Sequence, residues 1–513
     1  MERKMKFFEL FGAYGARAFK TYTNKLLKNP VTTQLQLFQE IIKRHKTTLF
    51  GKKHSFDEIR SIRQFQINCS PQSYDYFKPY IDAFLSGTRK ALFNSHLLFF
   101  AQTSGTTGTP KLIPITNNTI TNYNLGVLRT ACYYISENLR VHSKIVSGKW
   151  LYLPAPPILR YISGIPVGYI TGLLMLPYSI QFWRYLLNYK CYAPLHLMHL
   201  KDVETKFRLI AQEVASKNIT MLVGVTPVII NLLEYILKYS NASTIHELFP
   251  NLQLAIFSGV PPKYYKSRLT KIIGSELDYR EMYAASEGML AVQTSELPQL
   301  TFLYDSMFFE FIPINNSSER LIINQLQKGE EYRLIITTHN GLYAYDLGDI
   351  IKVVSEEPPA FIFSFRKNII DLADEKLTPP QIFDAINIAN EQNRCKIVDF
   401  CVIGTYKPKP HYIFLIEFDS KMKPASYYQF LLSIDNALEK LNDIYHQNRN
   451  GANKGTLTPP ELWVLKENAF FSLENQKILS GIPTGQIKIA HITKNTDLLD
   501  FFDNYVIEKV ISK

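Results

Sequence analysis

The chain has 513 residues, too many for one ordinary hydrophobic core, so its length predicts at least two domains. The formal net charge is +12, but lysine and arginine are scattered among acidic residues and form neither a basic stripe nor a nucleic-acid-binding motif. These features argue against nucleic-acid binding and are typical of a solvated basic surface or of a protein with a small anionic substrate.

The first predicted element is an amphipathic helix within residues 1–20. Glu9 interrupts its short apolar piece, so we interpret this segment as a helix of the folded protein and not as a signal peptide. A second amphipathic helix is predicted within residues 30–50, where Leu35, Phe38 and Ile41 have helical spacing.

Further along the chain, short apolar runs bounded by turn residues alternate with stretches of helical apolar spacing. The runs predicted as strands are residues 96–101, 150–153, 220–225, 252–257 and 333–338. The helical stretches between them include residues 203–215 and 227–238. Strands that alternate with helices predict an α/β fold with sizeable sheets.

A similar pattern restarts on a smaller scale from about residue 370. Its predicted helices and strands are residues 379–390, 396–403, 411–418 and 426–441. The charged run at 366–377 separates the two patterns. We therefore predict a large N-terminal domain over residues 1–368 and a small C-terminal domain over residues 369–513.

Residues 161–183 contain no charged side chain and are long enough to span a bilayer. Three glycines, two prolines and several polar side chains interrupt this stretch. We predict that it forms buried strands, turns and helix ends, without stable membrane insertion; membrane contact is the alternative.

The five cysteines are odd in number and widely spaced, and no two of them form a CxxC pair. Neither a disulfide framework nor a zinc site is indicated. This cysteine usage predicts a reducing compartment and hence a cytoplasmic location.

A segment rich in glycine and threonine, AQTSGTTGTPKLIPIT, occupies residues 101–116 between two apolar runs. It is not a Walker A loop, because Pro110 precedes Lys111 and the chain continues as an extended segment. A strand–loop–strand hairpin can still bind phosphate through close backbone approach, successive N–H groups and hydroxyl donors. The candidate phosphate ligands are Thr103, Ser104, Gly105, Thr106, Thr107 and Gly108. Lys111 adds a mobile positive charge suited to a leaving pyrophosphate, and a flexible polar surface loop is the alternative.

The string TSGTTGTPK resembles the phosphate-loop signature of the adenylate-forming superfamily, which includes acyl-CoA synthetases and luciferase. Other segments, in matching order from about residue 45 to 490, resemble the acyl-acid amido synthetases of the auxin-responsive (Gretchen Hagen) family and their bacterial relatives. These segments are TLFGKKHSFDEI (48–59), YDYFKPYIDAFLSG (74–87), YAASE (283–287), GLYAYDLGD (341–349), FRKNIIDLADEKLT (365–378) and GQIK (485–488). The resemblance implies a large adenylate-forming domain of β-sheets flanked by helices, followed by a small mobile α+β domain that carries a catalytic lysine.

The motif Y-x-x-S-E implies that Tyr283, Ser286 and Glu287 lie at a nucleotide site. In the family the tyrosine ring stacks on adenine, and the glutamate helps to hold Mg²⁺, a hard cation that prefers carboxylate and phosphate oxygens. Without the other motifs, Tyr283 would be interpreted as a core residue and Glu287 as a surface acid.

Asp349 matches the family's Gly-Asp turn, in which the carboxylate accepts hydrogen bonds from ribose hydroxyls. Ala344 and Asp346 depart from the usual arginine-containing context, which puts the local support of this turn in question. Arg366 resembles a hinge arginine that contacts ribose or phosphate.

Three residues further upstream complete the candidate ligand pocket. Ser258 and Gly259 follow a predicted buried strand and are candidates for the floor of the adenine site. Thr226 is a candidate for the acyl pocket; a turn-forming threonine before a proline is an equal alternative.

Lys488, in the frame G-Q-x-K, resembles the superfamily's lysine that enters the site from the C-terminal domain during adenylation. The attacking carboxylate and the α-phosphate are both negative, so a cation between them neutralises charge in the transition state. Lys477 and Lys494 lie nearby without this frame, and an ordinary surface lysine is the alternative for Lys488.

The resemblance implies an ATP- and Mg²⁺-dependent ligase in which Lys488, Glu287 and Lys111 act in catalysis. A carboxylic acid and ATP would give an acyl-adenylate, and an amine, expected to be an amino acid, would then displace AMP to form an amide. The alternatives are an acyl-CoA ligase and a catalytically weak adenylate-binding protein. The sequence leaves the acid open among hormone-like aromatic acids, jasmonate-like acids, benzoates and fatty acids. It also leaves open the acceptor amine and the oligomeric state.

Overall fold

The computed structural model describes most of the chain. The described residues are 7–103, 111–176, 190–200, 202–259, 261–314, 319–366, 372–373, 375, 377–451, 454–479, 491–493 and 495–511. The chain divides into two compact units, with the boundary after Phe363. The predicted boundary at 368/369 stays a prediction, because residues 367–371 lie outside the described part.

The β-strands of the described residues form three sheets. In chain order they are β1 (Leu97–Gln102), β2 (Leu112–Thr116), β3 (Lys149–Tyr152), β4 (Arg160–Ile162), β5 (Ile165–Gly168), β6 (Cys191–Tyr192), β7 (Ile219–Val225), β8 (Leu254–Ser258), β9 (Asp278–Ala285), β10 (Gly288–Val292), β11 (Leu300–Phe302), β12 (Phe308–Pro313), β13 (Glu331–Thr337), β14 (Tyr345–Glu356), β15 (Pro359–Arg366), β16 (Ile397–Thr405), β17 (His411–Phe418), β18 (Glu461–Leu465), β19 (Ile492–Thr493) and β20 (Val506–Ile511).

The α-helices of the same residues surround these sheets. They are α1 (Phe7–Lys28), α2 (Pro30–His45), α3 (Leu49–Lys53), α4 (Ile62–Asn68), α5 (Tyr74–Leu85), α6 (Asn117–Glu137), α7 (Leu139–His142), α8 (Ile170–Leu173), α9 (Val203–Ala215), α10 (Thr226–Lys238), α11 (Ile245–Leu248), α12 (Lys266–Ile273), α13 (Pro379–Gln392), α14 (Tyr427–Leu441), α15 (Asp443–Arg449), α16 (Ala469–Leu479) and α17 (Asp497–Asp503). Short 3-10 helices lie at Ser143–Ser147, Leu195–Leu197, Pro262–Tyr265 and Ile323–Gln325.

Eleven of the described strands form one mixed sheet in the order β12-β13-β14-β15-β11-β10-β9-β8-β7-β3-β6. At one end of this sheet, each neighbouring pair is parallel: β6 with β3, β3 with β7, β7 with β8, and β8 with β9. Parallel neighbours need crossover connections, which α9 supplies before β7 and α10 supplies between β7 and β8. The predicted α/β fold is confirmed, because the apolar runs in this region are strands and the stretches of helical spacing are helices.

A second sheet of the N-terminal unit has the order β2-β1-β5-β4. β1 and β2 are antiparallel, with Gln102 opposite Leu112, so the glycine- and threonine-rich segment joins two strands as predicted. β5 and α8 lie within the uncharged stretch at 161–183, and β4 ends in it, whereas residues 177–183 are outside the described part. No α-helix among the described residues has the length and apolarity that a membrane span requires.

The long helix α6 packs on β9 and β10, where Gly126 permits close approach: a Cβ there would lie 2.6 Å from Cγ of Met289. α1 packs in turn on α6. Ala13 and Ala16 of α1 are buried, and the Tyr133 hydroxyl on α6 donates to Oδ1 of Asn24 at 2.5 Å. The N-terminal amphipathic helix is therefore an integral part of this unit.

The C-terminal unit contains a five-stranded sheet in the order β19-β16-β17-β18-β20. Alternate residues of β16 point to opposite faces: Phe400 packs in the core that contains α13 and α14, and Cys401 packs in the core that contains α16 and α17. The buried Glu417 carboxylate accepts the backbone N–H groups of Asn468 at 2.7 Å and Phe470 at 3.2 Å. It thereby satisfies amides that the start of α16 would otherwise leave unpaired.

Two buried histidines, His45 at the end of α2 and His339 after β13, are held neutral by their surroundings. Burial is the main cause that lowers the pKa of His45 to about 3, and electrostatic interactions with His339 and Arg44 contribute to the same shift. Burial also lowers the pKa of His339 to about 4. Nδ1 of His45 accepts the backbone N–H of Asn94 at 2.9 Å, which requires the neutral ring.

This histidine pair predicts a loss of stability in mild acid. The unfolded residues titrate near 6.5, so below that pH the unfolded chain binds more protons than the folded chain. The free energy of unfolding is therefore highest above pH 6.5. It falls by about 1.4 kcal/mol per pH unit for each histidine as the pH decreases towards the pKa values of the folded state. Urea unfolding at about pH 7 and about pH 5 measures this decrease in the free energy of unfolding. Between these two pH values, the His45→Gln variant should lose about 2 kcal/mol less than the wild type.

A His45→Gln chain that loses stability as steeply as the wild type would show that His45 does not cause the effect.

Candidate active site

The glycine- and threonine-rich hairpin is closed at its base by two hydrogen bonds. The backbone N–H of Thr103 donates to the carbonyl of Lys111 at 3.0 Å, and the N–H of Lys111 donates to Oγ1 of Thr103 at 3.3 Å. Thr103 therefore fixes the point where the loop leaves the sheet. The other candidate phosphate ligands, Ser104, Gly105, Thr106, Thr107 and Gly108, lie outside the described residues.

The exposed Lys111 places its ammonium group beside two tyrosines. Its Nζ donates to the Tyr345 hydroxyl at 3.3 Å and lies 5.6 Å from the ring centre of Tyr74 and 5.9 Å from that of Tyr345. The Tyr74 hydroxyl is itself fixed to β2, because it accepts the backbone N–H of Leu112 at 2.8 Å. Aromatic faces attract a cation, so the two rings hold the lysine charge at the base of the phosphate hairpin.

The predicted adenine and ribose residues, Tyr283 and Asp349, contact each other directly. The Tyr283 hydroxyl donates a hydrogen bond to Oδ2 of Asp349, whose side chain is fully buried. Phe361 and Phe363 pack edge-on against the Tyr283 ring, at 6.2 and 5.7 Å between ring centres. The phenol thus holds the position of a buried carboxylate in an aromatic setting.

The Gly-Asp element forms a kink inside β14, where the pairing of β14 with β13 shifts register between Asp346 and Ile350. Gly348 has a positive φ of 72°, a conformation that glycine adopts without steric cost. Oδ1 of Asp346 accepts the backbone N–H of Gly348 at 2.9 Å, and Nη1 of Arg333 lies 3.6 Å from Oδ2 of Asp346. Asp346, which departs from the family pattern, therefore supports the kink that precedes Asp349.

Strand β14 connects the lysine to the buried carboxylate. Tyr345, which contacts Lys111, begins the strand, and Asp349 lies four residues later. The two positions are at most about 13 Å apart along the strand. The neighbour of the lysine and the buried carboxylate therefore belong to the same strand.

Glu287 lies in the turn between β9 and β10 and is only 7% exposed. Burial, followed by the negative charge of Glu287, raises the pKa of Tyr123 well above its usual value. The same charge contributes to the raised pKa of Tyr74, for which burial is the main cause. Ser286 is the half-buried neighbour in the turn. Glu287 is therefore a nearly buried acid whose charge contributes to the raised pKa of two tyrosines, unlike the surface acid that its position alone would indicate.

Among the residues that the structure describes, no group of three or more His, Cys, Asp or Glu side chains could hold a metal ion. A single carboxylate such as that of Glu287 still suits Mg²⁺, because this ion commonly combines one or two protein carboxylates with phosphate oxygens of the substrate.

Ser258, Gly259 and Thr226 meet at the carboxyl ends of β7 and β8. Ser258 ends β8 opposite Met282, the neighbour of Tyr283 on β9. Gly259 has φ +86°, and Thr226 is fully buried with its hydroxyl donating to the Ser258 carbonyl at 3.4 Å. The carboxyl edge of a parallel sheet is where α/β folds bind ligands. The assignment of Thr226 to an acyl pocket stays a prediction.

Besides residues 104–108 of the hairpin, two predicted site residues have no described side chain. The backbone of Arg366 ends β15, and its side chain lies outside the described part. Lys488 lies outside the described residues.

The sequence analysis did not predict the contribution of four residues near the site. Tyr74 and Tyr345 flank Lys111, Tyr123 lies near Glu287, and Asp346 supports the kink before Asp349. Tyr74 and Tyr345 lie in segments that carry the family resemblance, but only their three-dimensional contacts reveal their function as neighbours of the lysine.

The fold defines the class of enzyme to which the chain is similar. The solved structure of AtGH3.15 acyl acid amido synthetase in complex with 2,4-DB superposes with a TM-score of 0.84, at 17% identity over 100% of this chain and 99% of that one. A 2-hydroxyisobutyryl-CoA ligase in the postadenylation state superposes with a TM-score of 0.58, at 12% identity over 92% of this chain and 90% of that one. The chain has the fold of adenylate-forming ligases.

Three family models identify the family. The GH3 family N-terminal domain matches residues 20–211, the central domain residues 300–366 and the C-terminal domain residues 381–497. The chain belongs to the GH3 family, which confirms the resemblance that its motifs indicate.

Curated relatives in Arabidopsis thaliana match part of the chain. "Indole-3-acetic acid-amido synthetase GH3.3" is 27% identical over 44% of this chain and 41% of its own length. "4-substituted benzoates-glutamate ligase GH3.12" is 27% identical over 41% of this chain and 40% of its own length. The alignments thus span well under half of these relatives.

Proposed function

We propose that this protein is an ATP-dependent acyl-acid amido synthetase. The observation that carries the proposal is the buried Asp349 carboxylate, held by the Tyr283 hydroxyl and connected through β14 to the Lys111 hairpin. A fixed carboxylate suits ribose hydroxyls, and a cation beside a glycine-rich loop suits phosphates. Membership of the GH3 family supports the same assignment.

In the first step, a carboxylate oxygen of the acid attacks the α-phosphorus of ATP. The bond from this phosphorus to the bridging oxygen breaks, and pyrophosphate leaves with the bonding electrons. Lys111 and the hairpin residues 103–108 neutralise and orient the phosphates. Mg²⁺ held by Glu287 together with phosphate oxygens would supply further charge neutralisation.

In the second step, the amine nitrogen of an amino acid attacks the carbonyl carbon of the acyl-adenylate. The carbon–oxygen bond to AMP breaks, the nitrogen loses a proton, and an amide results. No protein nucleophile is required, because the protein supplies positioning, charge and a dry site. The C-terminal domain, residues 369–513, carries Lys488 in this proposal, and the segment 366–377 is its hinge.

The identity of the acceptor tests the proposal against an acyl-CoA ligase. The purified chain is incubated with ATP, Mg²⁺ and a panel of acids that includes indole-3-acetic acid and 4-substituted benzoates, because relatives are named for these acids. Parallel samples receive the amino acids or CoA, and mass spectrometry identifies the products. The proposal requires an N-acyl amino acid with release of AMP, whereas an acyl-CoA product alone would assign the rival activity. A cytoplasmic location stays a prediction.

Asp346 provides a prediction specific to this chain. Asp346→Ala removes the acceptor for the Gly348 N–H, a loss of about 1 kcal/mol that should raise the KM for ATP about fivefold with little change in kcat. Asp346→Asn keeps an acceptor oxygen and should restore most of the affinity. If Asp346→Asn were as impaired as Asp346→Ala, the charge pair with Arg333 would matter more than the kink.

A further inference from the structure

Helix α1 exposes a stripe of aromatic and apolar side chains to solvent. Phe11 is 74% exposed, Tyr14 65% and Tyr22 56%, and Leu10 lies beside them at 43%. Positions 11, 14, 18 and 22 follow helical spacing, so these side chains share one face. We call this stripe, Leu10, Phe11, Tyr14, Ala18 and Tyr22, the outer face of α1.

The outer face is not needed to hold α1 in place. The opposite face packs on the N-terminal unit through Ala13 and Ala16, each 3% exposed, and through Thr23, 2% exposed. Asn24 also accepts the Tyr133 hydroxyl of α6. A helix that is already anchored and still presents three exposed aromatic rings on one side has the character of an interaction surface.

The exposed charges of α1 itself are of one sign. The only acid in α1, Glu9, is buried on the opposite side, whereas Arg17, Lys25 and Lys28 are exposed. Residues 1–28 contain seven lysines or arginines and two glutamates. The surface therefore combines aromatic rings with positive charge and offers no exposed carboxylate within α1.

We propose that the outer face of α1 adsorbs to a bilayer surface that contains anionic phospholipid. The helix lies in the plane of the interface, with Phe11, Tyr14 and Tyr22 at the level of the headgroups and Arg17 and Lys25 beside the lipid phosphates. A second copy of the chain fits this surface less well, because pairing two such faces would bring like charges together. The interaction is adsorption and needs no membrane-spanning helix.

Vesicle sedimentation with the full chain tests the proposal. Vesicles of phosphatidylcholine with about 30% phosphatidylserine should bind the chain, vesicles of phosphatidylcholine alone should bind it far less, and added salt should weaken binding. Phe11→Ser, Tyr14→Ser and Tyr22→Ser combined should weaken binding at least about tenfold. Arg17→Gln and Lys25→Gln should each weaken it about fivefold, which corresponds to about 1 kcal/mol per cation near the surface.

The control variants remove exposed apolar side chains elsewhere. Ile67 is 72% exposed and Leu297 is 60% exposed, so Ile67→Ser with Leu297→Ser should bind vesicles as the wild type does. Unfolding midpoints show whether the α1 variants remain folded. Failure to prefer the anionic vesicles, or unchanged binding by the folded triple variant, would overturn the proposal. A concentration-dependent dimer in analytical ultracentrifugation that the triple variant loses would assign the face to a second copy instead.

Discussion

Replacing Lys488 with alanine should slow acyl-adenylate formation about 100- to 1000-fold while ATP binding changes little. In the proposed first step, the carboxylate of the acid and the α-phosphate repel each other, and Lys488 would supply the cation that neutralises this charge as the new bond forms. Because the interaction is strongest in the transition state, its loss should lower kcat and leave nucleotide affinity almost unchanged.

Carboxylate-dependent exchange of labelled pyrophosphate into ATP measures this step, and equilibrium dialysis measures ATP affinity. Lys494→Ala is the matched control, since Lys494 lies six residues further along the chain without the G-Q-x-K frame. Lys477→Ala examines the other nearby lysine, whose pKa burial lowers. Near-normal exchange in Lys488→Ala, or an equal loss in Lys494→Ala, would remove Lys488 from the proposed role.

Replacing Asp349 should produce the largest loss of ATP affinity of any change in the described site. If Asp349 binds ribose as proposed, Asp349→Ala removes two charge-assisted hydrogen bonds, each worth about 1.5 kcal/mol, and should weaken ATP binding about 100-fold. Tyr283→Phe, which removes only the donor to the carboxylate, should have a smaller effect, of about three- to tenfold.

Deoxynucleotides separate ribose recognition from general damage to a buried site. The wild type should bind 2′-deoxy-ATP and 3′-deoxy-ATP more weakly than ATP, and Asp349→Ala should bind all three alike. Asp349→Asn retains the shape of the side chain and controls for packing. A variant that is less stable but discriminates between ribose and deoxyribose as the wild type does would show that Asp349 acts only in folding.

The strands and helices were predictable because burial imposes a period on the sequence. The apolar run at 150–153 is β3, and the stretch at 227–238 is α10, each within a residue or so of the observed ends. Pro110 before Lys111 excluded a helix after the glycine-rich loop, and β1 and β2 indeed form a hairpin. These features depend on local chemistry, which a sequence displays directly.

The contacts that build the site were not predictable in this way. Tyr283 and Asp349 are 66 residues apart, and Lys111 and Tyr345 are 234 residues apart. Local spacing does not specify which distant strands become neighbours, so the resemblance provided their roles and the fold provided their partners. The resemblance predicts a Gly-Asp turn at Gly348, but local spacing does not show that it forms a kink inside β14 supported by Asp346.

The most direct test of the account is carboxylate-dependent pyrophosphate exchange by the wild-type chain. The acids are supplied as pooled aromatic, indole, benzoate, jasmonate-like and fatty acids with ATP and Mg²⁺. The account predicts exchange that requires at least one of these acids and is absent without acid. A chain that binds ATP but catalyses no exchange with any pool would contradict adenylation and favour a nucleotide-binding protein without this activity.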